Sequence, residues 1–388
     1  MVQLDSLRAI GVMAVMAHHF FPQAIRQFEI GDAGVRPFFV LSGFLITGIL
    51  LRSRALVDGG VQGVSVAFRR FYARRFLRIF PLYYGVLAVG WLLRVPGIRN
   101  DLAWHAGYLS NLHFFLQNRW GGPVAHFWSL AVEEQFYLLW PVVVLLVPKR
   151  RLPAIVLGAM AGGPAFRLLA TLWFTGNGFI STLTFSCLDS LGAGAYLAMS
   201  VDPGLRGHPL VRSPAAIGLR LGAPLVLACR VLERAQAAPL FVAVASDTAV
   251  ALISVWLIAR GAQGFKGFAG RVLDLKPLQY LGVISYGIYI YHPLVPVLVT
   301  MAARRLGHGH LFDALGNGET RTVWYLVVFG VISVLVAAAS WRWYEEPIYR
   351  LKCRFEYAAP TRTATPRSGP AARPAGPARS RRTGPPGR

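Results

Sequence analysis

Residues 127–147 read FWSLAVEEQFYLLWPVVVLLV, an apolar stretch of 21 residues interrupted by two glutamates and a glutamine. A helix needs about 20 such residues to cross the roughly 30 Å of hydrocarbon in a bilayer. We therefore predict a membrane-spanning helix here. Because lipid cannot satisfy buried polar groups, Glu133, Glu134 and Gln135 must face the interior of a helical bundle or a wet cavity.

Similar apolar stretches recur along the 388-residue chain, which is 55% hydrophobic and only 15% charged. A soluble domain carries about 25% charged residues, so this balance excludes a single soluble core. The sequence predicts an all-α, polytopic membrane helical bundle of about ten transmembrane helices, forming one domain over residues 1–352. The span at 215–232 is the least regular, because Arg220 and Arg230 interrupt it. The predicted spans are 7–25, 34–51, 79–95, 127–147, 152–174, 183–200, 215–232, 238–259, 277–303 and 323–344.

The net charge of +23 comes mainly from arginines that stand in short blocks between the apolar stretches or near the C-terminus. If the N-terminus is cytoplasmic, 26 Lys and Arg lie on the cytoplasmic side, with the C-terminal tail included, and 8 on the other side, with Arg36 at the start of the second span included. Cytoplasmic segments carry such an excess, so we expect both termini in the cytoplasm of a multi-pass protein of the inner (plasma) membrane. No aromatic and basic recognition module accompanies the charge, and nucleic-acid binding is not expected.

The C-terminal residues 353–388 have a different composition. From 357 onwards they contain seven Pro, seven Arg and four Gly and no acidic residue. Such a segment cannot bury enough apolar surface to offset the entropy of ordering, so we expect a disordered Pro/Arg-rich cytoplasmic tail. Attraction to anionic membrane lipid and a solvated tail without a task are both compatible with this composition.

The first predicted span carries ionisable residues at helical spacing. Arg8 and His19 are eleven residues apart, so a helix places both on one face, about 16 Å apart along its axis. Asp5 lies near the same face, whereas His18 is turned away by roughly 100°. Because an ionisable residue at mid-membrane is costly, His19 is a candidate catalytic residue. A histidine that serves only helix packing is the alternative.

Two further segments carry candidate substrate contacts. Arg75 and Arg78 stand three residues apart and can present two guanidinium groups to one anion, which suits the phosphates of a donor such as coenzyme A. Ordinary topology charge is the alternative. Ser42 and Gly43 lie among bulky neighbours, a pattern that favours close helix packing over direct catalysis.

The span at 127–147 begins with His126 just outside it and Trp128 in its first turn. Both residue types fit an interfacial position at the outer end of a membrane helix. For the polar residues within this span, the alternative to a catalytic role is a cluster of buried hydrogen bonds that only joins helices.

Polar residues also occur near the end of the chain. Residues 281–293, LGVISYGIYIYHP, place Ser285, Tyr286 and His292 inside a predicted span. Residues 343–347, WYEEP, close the last span, where the proline stops the helix.

Metal and disulfide chemistry find little support in the sequence. Cys187, Cys229 and Cys353 lie far apart, without metal-ligand spacing, so no disulfide framework is expected. His308 and His310 flank a glycine in a loop, which is a weak metal signal, and we expect no metal.

Five of these stretches together resemble motifs of the acyltransferase-3 family of bacterial integral membrane O-acyltransferases, in family order over residues 3 to about 352. They are the Arg-x10-His pattern of Arg8 and His19, Phe38 to Ile46, the pair Arg75-x-x-Arg78, Phe127 to Tyr137, and Ser285-Tyr286 to His292. The resemblance implies a ten-span core that takes an acyl group, often acetyl, from a cytoplasmic acyl thioester. The implied acceptor is a hydroxyl-bearing glycan, a lipid-linked sugar or a glycosylated metabolite. Arg36 stands where the family commonly has Asp, so the role of that position stays open.

From the resemblance and the residue chemistry we expect a catalytic pair, His19 and Glu133. His19 acts as general base because the intrinsic pKa of histidine lies near neutral pH, and Glu133 orients a histidine or positions the acceptor. Acyl-CoA, with acetyl-CoA as the first choice, is the expected co-substrate, without any bound cofactor. The predicted donor- and substrate-binding residues are Arg8, Arg75, Arg78, Ser42, Trp128, Tyr137, Ser285 and His292.

Three other interpretations remain open at this point. A covalent acyl-histidine intermediate is a variant of the same chemistry. A transporter or flippase of lipid-linked sugars would also explain charged residues within the membrane. A catalytically silent membrane scaffold is the third.

Overall fold

A computed structural model describes residues 2–20, 30–205, 207–308, 319–355 and 387. Within these ranges the secondary structure is helical, without a strand, which confirms the predicted all-α class. Almost the whole predicted tail, and His310 of the weak metal signal, lie outside the described residues. Cys353 belongs to a short 3-10 helix, so the helical part continues to Phe355, beyond the predicted boundary at 352.

The described helices are α1 Val2–Phe20, α2 Ile30–Asp58, α3 Val64–Leu92, α4 Leu102–Ala106, α5 Ser110–Gln117, α6 Phe127–Leu146, α7 Leu152–Trp173, α8 Leu188–Val201, α9 Pro214–Arg234, α10 Pro239–Gln263, α11 Gly267–Leu273, α12 Lys276–Val283, α13 Ser285–Tyr291, α14 Leu294–Arg305, α15 Glu319–Ser340 and α16 Glu346–Arg350. Short 3-10 helices occur at Gly122–Val124, Lys149–Arg151, Ile180–Thr182, Thr184–Cys187 and Leu351–Phe355, and a π-helical turn at Trp341–Glu345.

Six helical segments in the described part of the chain are long and apolar enough to cross a membrane. One of them contains α9, the least regular of the predicted spans, which forms a continuous helix. The six segments are Gly34–Asp58, Gly122–Leu146, Lys149–Trp173, Pro214–Arg234, Pro239–Gln263 and Val327–Phe355.

The predicted span at 277–303 is not one helix. It comprises α12, α13 and α14, and the last two meet at an angle of 47°, so this pair provides at most a seventh, broken span. The break falls at Pro293, because a proline has no backbone N–H to donate within a helix and its ring clashes with a carbonyl of the preceding turn.

Three other predicted spans, 7–25, 79–95 and 183–200, do not meet the length and hydropathy criterion among the described helices. The helix α8 has only 14 residues. The helix α3 has 29 residues but contains the arginine-rich half of the predicted loop at 52–78. The count of ten spans and the cytoplasmic position of both termini therefore stay predictions.

The helix α2 lies at the centre of the bundle. Of its apolar span 61% is buried within the protein, against 17% for α9, so α9 exposes most of its surface to the surroundings of the bundle. The helix α8 packs directly on α2, because Gly43 and Gly194 allow close contact: a Cβ at either position would collide with a backbone carbonyl of the other helix. Gly43 thus has the packing role that its small size predicts.

A buried charge network joins α2 to α7, α8 and α10. Arg36 bonds Asp247 at 2.5 Å, and Arg167 bonds Asp189 at 2.8 Å. The two arginines are only 3% and 1% exposed. Thr248 donates a hydrogen bond to Asp189. Two positive and two negative charges cancel here, which is how charges are tolerated within a membrane bundle. The network gives Arg36 a structural role.

Candidate active site

A cavity of about 680 Å³ opens among α1, α2, α3, α6, α13 and the segment after α15. The structure brings seven of the predicted site residues to its wall. They are Arg8, Ser42, Arg75, Arg78, Glu133, Tyr137 and Ser285. These residues come from five separate sequence motifs, so the fold assembles one site from distant parts of the chain.

Glu133 is held by a chain of two hydrogen bonds. Ser42 Oγ donates to Glu133 Oε1 at 2.6 Å, and Tyr137 Oη donates to Ser42 Oγ at 2.9 Å. Glu133 and Tyr137 lie four residues apart, one turn of α6, so both side chains point to the same side of the helix. Ser42 therefore does more than permit close packing, because it fixes a carboxylate in the cavity wall. Glu134 lines the same cavity.

Gln135 has a different task from the two glutamates. Its amide donates to the Tyr108 carbonyl at 2.8 Å and to Asn111 Oδ1 at 3.0 Å. Thr184 donates to its carbonyl oxygen. Gln135 thus joins α6 to neighbouring segments, and Glu133 also joins α6 to α2 through Ser42 while it lines the cavity, as Glu134 does.

The two arginines of the Arg75-x-x-Arg78 pair both line the cavity, but their guanidinium groups have different surroundings. Arg75 lies 4.8 Å from the centre of the Tyr137 ring. Arg78 lies 4.8 Å from the Trp341 ring and 5.2 Å from the Tyr349 ring, and it donates to the Val283 carbonyl at 3.0 Å. Arg78 is therefore fixed in the wall by several contacts, and Arg75 is held mainly by one ring.

Arg8 forms an ion pair with Asp5 one turn earlier on α1, and the two side chains are 30% and 32% exposed. Both residues line the cavity. Ser285 also lines it, and its hydroxyl donates to the Gly282 carbonyl at 2.8 Å, which joins the end of α12 to the start of α13. These residues line the cavity, Ser285 has a local structural bond as well, and their role in donor or substrate binding stays a prediction.

His19 and His292 are joined by a hydrogen bond between their rings, which lie 4.9 Å apart at an angle of 53°. His292 is fully buried, with Nδ1 2.8 Å from the Tyr289 carbonyl and 3.2 Å from the Ile288 carbonyl. Carbonyls only accept, so His292 carries its proton on Nδ1, and its Nε2 is an acceptor in the neutral ring. This acceptor lies 3.1 Å from His19 Nδ1, which is also 3.0 Å from the Val15 carbonyl.

The same pattern assigns the tautomer of His19. Nδ1 of His19 faces two acceptors, His292 Nε2 and the Val15 carbonyl, and so carries the proton. In the neutral ring the lone pair is then on Nε2 of His19. A neutral histidine held in one orientation, with a basic nitrogen at a defined position, is what a general base requires.

His18 does not take part in this pair. Its ring lies 5.7 Å from the His19 ring in an edge-on arrangement, and its buried Nδ1 has no hydrogen-bond partner among the described residues. The predicted difference between the two adjacent histidines is thus present in the geometry.

The histidine pair lies just beyond the end of the cavity. Val35 and Phe38 line the cavity on α2, and this part of α2 packs on α1 through Gly34 beside Val15 and Gly11 beside Phe38. The cavity thus reaches the level of residues 11–15 of α1, about one turn short of His19.

Tyr289 connects the two parts of the site. Its side chain lines the cavity, its hydroxyl lies 2.5 Å from Ser129 Oγ, and its carbonyl accepts from His292. Tyr289 therefore contacts both the cavity, through its side chain, and the histidine pair, through its carbonyl.

His126 and Trp128, which were expected at the outer end of a membrane helix, lie inside the protein rather than on its surface. Both are buried in the protein, with exposures of 3% and 8%. Trp128 packs edge-on against Phe39 at 5.8 Å, and the His126 ring lies 5.4 Å from the His292 ring. Neither residue lines the cavity. The place of His126 next to the histidine pair was missed, because its position at a helix end suggested the interface.

The sequence reasoning also missed the basic residues at the other end of the cavity. Arg74, Arg350 and Lys352 line it beside the Arg75 and Arg78 pair. Two of them follow the last predicted span, where basic residues were counted only for topology. The available signal was the aromatic and basic alternation of residues 341–352, WRWYEEPIYRLK.

Comparison with known proteins agrees with this arrangement of motifs. The family model described as an acyltransferase domain, acyltransferase 3, matches residues 1–342. The chain belongs to this family. The resemblance found in the five motifs is thereby confirmed.

Three relatives illustrate the similarity. The peptidoglycan O-acetyltransferase OatA of Listeria monocytogenes is 29% identical over 370 residues, covering 89% of this chain and 55% of the relative. The putative peptidoglycan O-acetyltransferase YrhL of Bacillus subtilis is 28% identical over 378 residues, 89% of this chain and 54% of YrhL. The O-acetyltransferase OatA of Staphylococcus aureus is 25% identical over 374 residues, 89% of this chain and 56% of the relative. The chain spans about half the length of these relatives, and no solved structure matches it.

Proposed function

We propose that this acyltransferase-3 protein is a membrane O-acyltransferase that moves an acetyl group from acetyl-CoA to a hydroxyl of a carbohydrate or glycosylated acceptor. The observation that carries the proposal is the layout of the site: a cavity with clustered cations at one end and the His19–His292 pair next to its other end. The relatives named as peptidoglycan O-acetyltransferases support acetyl as the group and a glycan as the acceptor.

The layout suits an elongated donor. Arg8, on the cation side, and His19 are separated by about 16 Å along α1. Coenzyme A carries its phosphates at one end and its thioester at the tip of a long, thin arm. With the phosphates on Arg75 and Arg78, the arm follows the cavity towards Ser129 and Tyr289 at its far end. The thioester then arrives one helical turn from His19.

The transfer step needs one base. His19 Nε2 takes the proton of the acceptor hydroxyl as its oxygen attacks the thioester carbonyl, giving a tetrahedral intermediate. This intermediate collapses, the C–S bond breaks, and the thiolate takes the proton back from His19. The products are the acyl ester and free coenzyme A. His292 is a positioning residue here, because its Nε2 accepts from His19 Nδ1 before and after the proton moves.

Of the two roles expected for Glu133, positioning of the acceptor fits the geometry better. Glu133 accepts a hydrogen bond from Ser42, which is bonded in turn to Tyr137, and within the described residues its hydrogen bonds do not reach a histidine. A carboxylate in the cavity wall can accept hydrogen bonds from sugar hydroxyls. The acyl-histidine variant would use the same His19 Nε2 as nucleophile, and rapid quenching of the reaction before acceptor is added distinguishes the two.

Nothing in the comparisons supports the alternative of a transporter for lipid-linked sugars. The decisive experiment uses purified protein in vesicles with acetyl-CoA labelled in the acetyl group and a peptidoglycan fragment as acceptor. We expect label in an alkali-labile ester of the fragment, with one coenzyme A released per ester. Movement of sugar across the vesicle membrane without ester formation would favour the transporter instead.

A further inference from the structure

The segment after α15, residues 341–355, closes the cation end of the cavity. Tyr349, Arg350 and Lys352 from this segment line the cavity. The segment is held against α3, since Tyr344 donates to the Pro81 carbonyl at 2.9 Å. It is therefore part of the site wall, although the family motifs used to predict donor binding lie elsewhere.

Cations exceed acids at this end. Glu346 is the acidic residue of the segment that lines the cavity, and it bonds Arg350 at 2.9 Å and Arg342 at 3.6 Å. Besides the ion pair of Arg8 with Asp5, five cations line the same end of the cavity: Arg74, Arg75, Arg78, Arg350 and Lys352. Such a surplus at the mouth of a cavity attracts a multiply charged anion.

The donor has two separate phosphate groups to be matched. Coenzyme A carries a diphosphate next to its arm and a phosphomonoester on the ribose, and a monoester brings about −1.5 to −2 charges at neutral pH. Arg78 is already fixed by the Val283 carbonyl and two aromatic rings. The pair Arg75 and Arg78 can serve one of these groups, which leaves the other for the remaining cations.

We propose that Arg350 and Lys352, together with Arg74 of α3, form a subsite for the ribose phosphomonoester of the donor. The inference rests on the proposed use of acyl-CoA and extends it to a second phosphate group. Arg350 is 70% exposed and stands where the cavity meets solvent, as expected for the end of the donor that enters last. Arg74 reaches the same segment by donating to the Phe355 carbonyl at 3.3 Å.

Lys352 is placed by an aromatic contact. Its ammonium lies 3.8 Å from the centre of the Tyr349 ring, within the range of a cation–π interaction. Arg78 lies 5.2 Å from the centre of the same ring. Tyr349 therefore connects the proposed subsite to the pair that binds the other phosphate group.

The test compares two donors, acetyl-CoA and acetyl-3′-dephospho-CoA, with the full chain in phosphatidylcholine vesicles. Each charge-assisted phosphate contact strengthens binding by about tenfold or more. For wild type we therefore expect kcat/KM to be at least about tenfold higher with acetyl-CoA than with acetyl-3′-dephospho-CoA. In the double variant Arg350→Gln with Lys352→Gln, the kcat/KM values for the two donors should agree within about twofold. The value for acetyl-CoA should fall, and the value for acetyl-3′-dephospho-CoA should stay as in wild type.

Arg342→Gln is the matched control for Arg350→Gln. Both arginines bond Glu346 and both are about equally exposed, at 68% and 70%, but only Arg350 lines the cavity. We expect Arg342→Gln to keep the wild-type preference between the donors. If Arg342→Gln and Arg350→Gln lose the preference for acetyl-CoA to the same extent, the proposal is overturned, because lining the cavity would then make no difference.

The same cations can bind the phosphate of an anionic lipid, and the assay distinguishes a lipid phosphate from the phosphate of the donor. If the double variant loses activity with both donors alike, and only in vesicles that contain phosphatidylglycerol, the residues bind lipid and the proposal is overturned. Equal use of both donors by wild type would also overturn it while leaving the proposed function intact. If wild type uses neither donor, the proposed function itself fails.

Discussion

His292 is the residue whose replacement tests the positioning part of the mechanism. Its Nε2 accepts a hydrogen bond from His19 Nδ1 at 3.1 Å. When His19 takes the proton of the acceptor, its ring becomes cationic and this bond becomes charge-assisted. Such bonds are worth about 1.5–3 kcal/mol. His292→Ala should therefore lower kcat by about 10- to 150-fold, with the donor KM unchanged, since His292 does not line the cavity.

The assay is steady-state acetyl transfer by reconstituted protein, with kcat and both KM values measured separately. His113→Ala is the matched control, because His113 is also buried and partnered, 3.3 Å from Asp101, but lies in α5 away from the pair. It removes a buried imidazole of the same size and should leave kcat within about threefold. Equal losses in the two variants, or a His292→Ala effect on donor KM alone, would refute the positioning role.

Two further predictions follow from the structure and a third from the distribution of charge along the sequence. Ser42→Ala removes the hydrogen bond that fixes Glu133, and should lower kcat/KM for the acceptor by about tenfold while the donor KM stays as in wild type; an effect on the donor alone would contradict it. Arg36→Ala removes the cation that Asp247 bonds at 2.5 Å and leaves it the more distant Arg167, at 4.0 Å, and should lower the free energy of unfolding by about 3 kcal/mol in a denaturant titration, whereas replacing both Arg36 and Asp247 by Leu should cost less. For topology, a cysteine at position 65 should react with an impermeant thiol reagent only from the cytoplasmic side, and labelling from outside would reject the predicted orientation.

Composition and periodicity were enough for the fold class and for most of the long helices. The apolar stretches at 34–51, 127–147 and 238–259 all became helices able to cross a membrane, because length and hydropathy are local properties. The bend between α13 and α14 is also local, and Pro293 was its available signal. The short α8 is mostly buried, with ten of its 14 residues inside the protein, and the burial of a helix by its neighbours is not visible in one sequence.

Most residues that line the candidate site could be singled out from the sequence, whereas their contacts with one another could not. His19 and Glu133 are polar residues in apolar helices, so each is conspicuous by itself. The bond of His19 to His292 joins residues 273 positions apart, and that of Arg36 to Asp247 joins residues 211 apart. Helical periodicity gives the face of a helix but not its partner, and such pairs require the tertiary structure.

The central claim is that His19 removes the proton of the acceptor, and the most direct measurement compares His19→Ala with His18→Ala in single-turnover acetyl transfer. The two residues are adjacent, but only His19 bonds His292 among the contacts described. A general base contributes about 10²- to 10⁴-fold, so His19→Ala should lose activity by that factor while the protein inserts and accumulates normally. His18→Ala should stay within about tenfold, or ~1.4 kcal/mol, of wild type. Equal losses in the two variants, or a larger loss in His18→Ala, would contradict the assignment of the base.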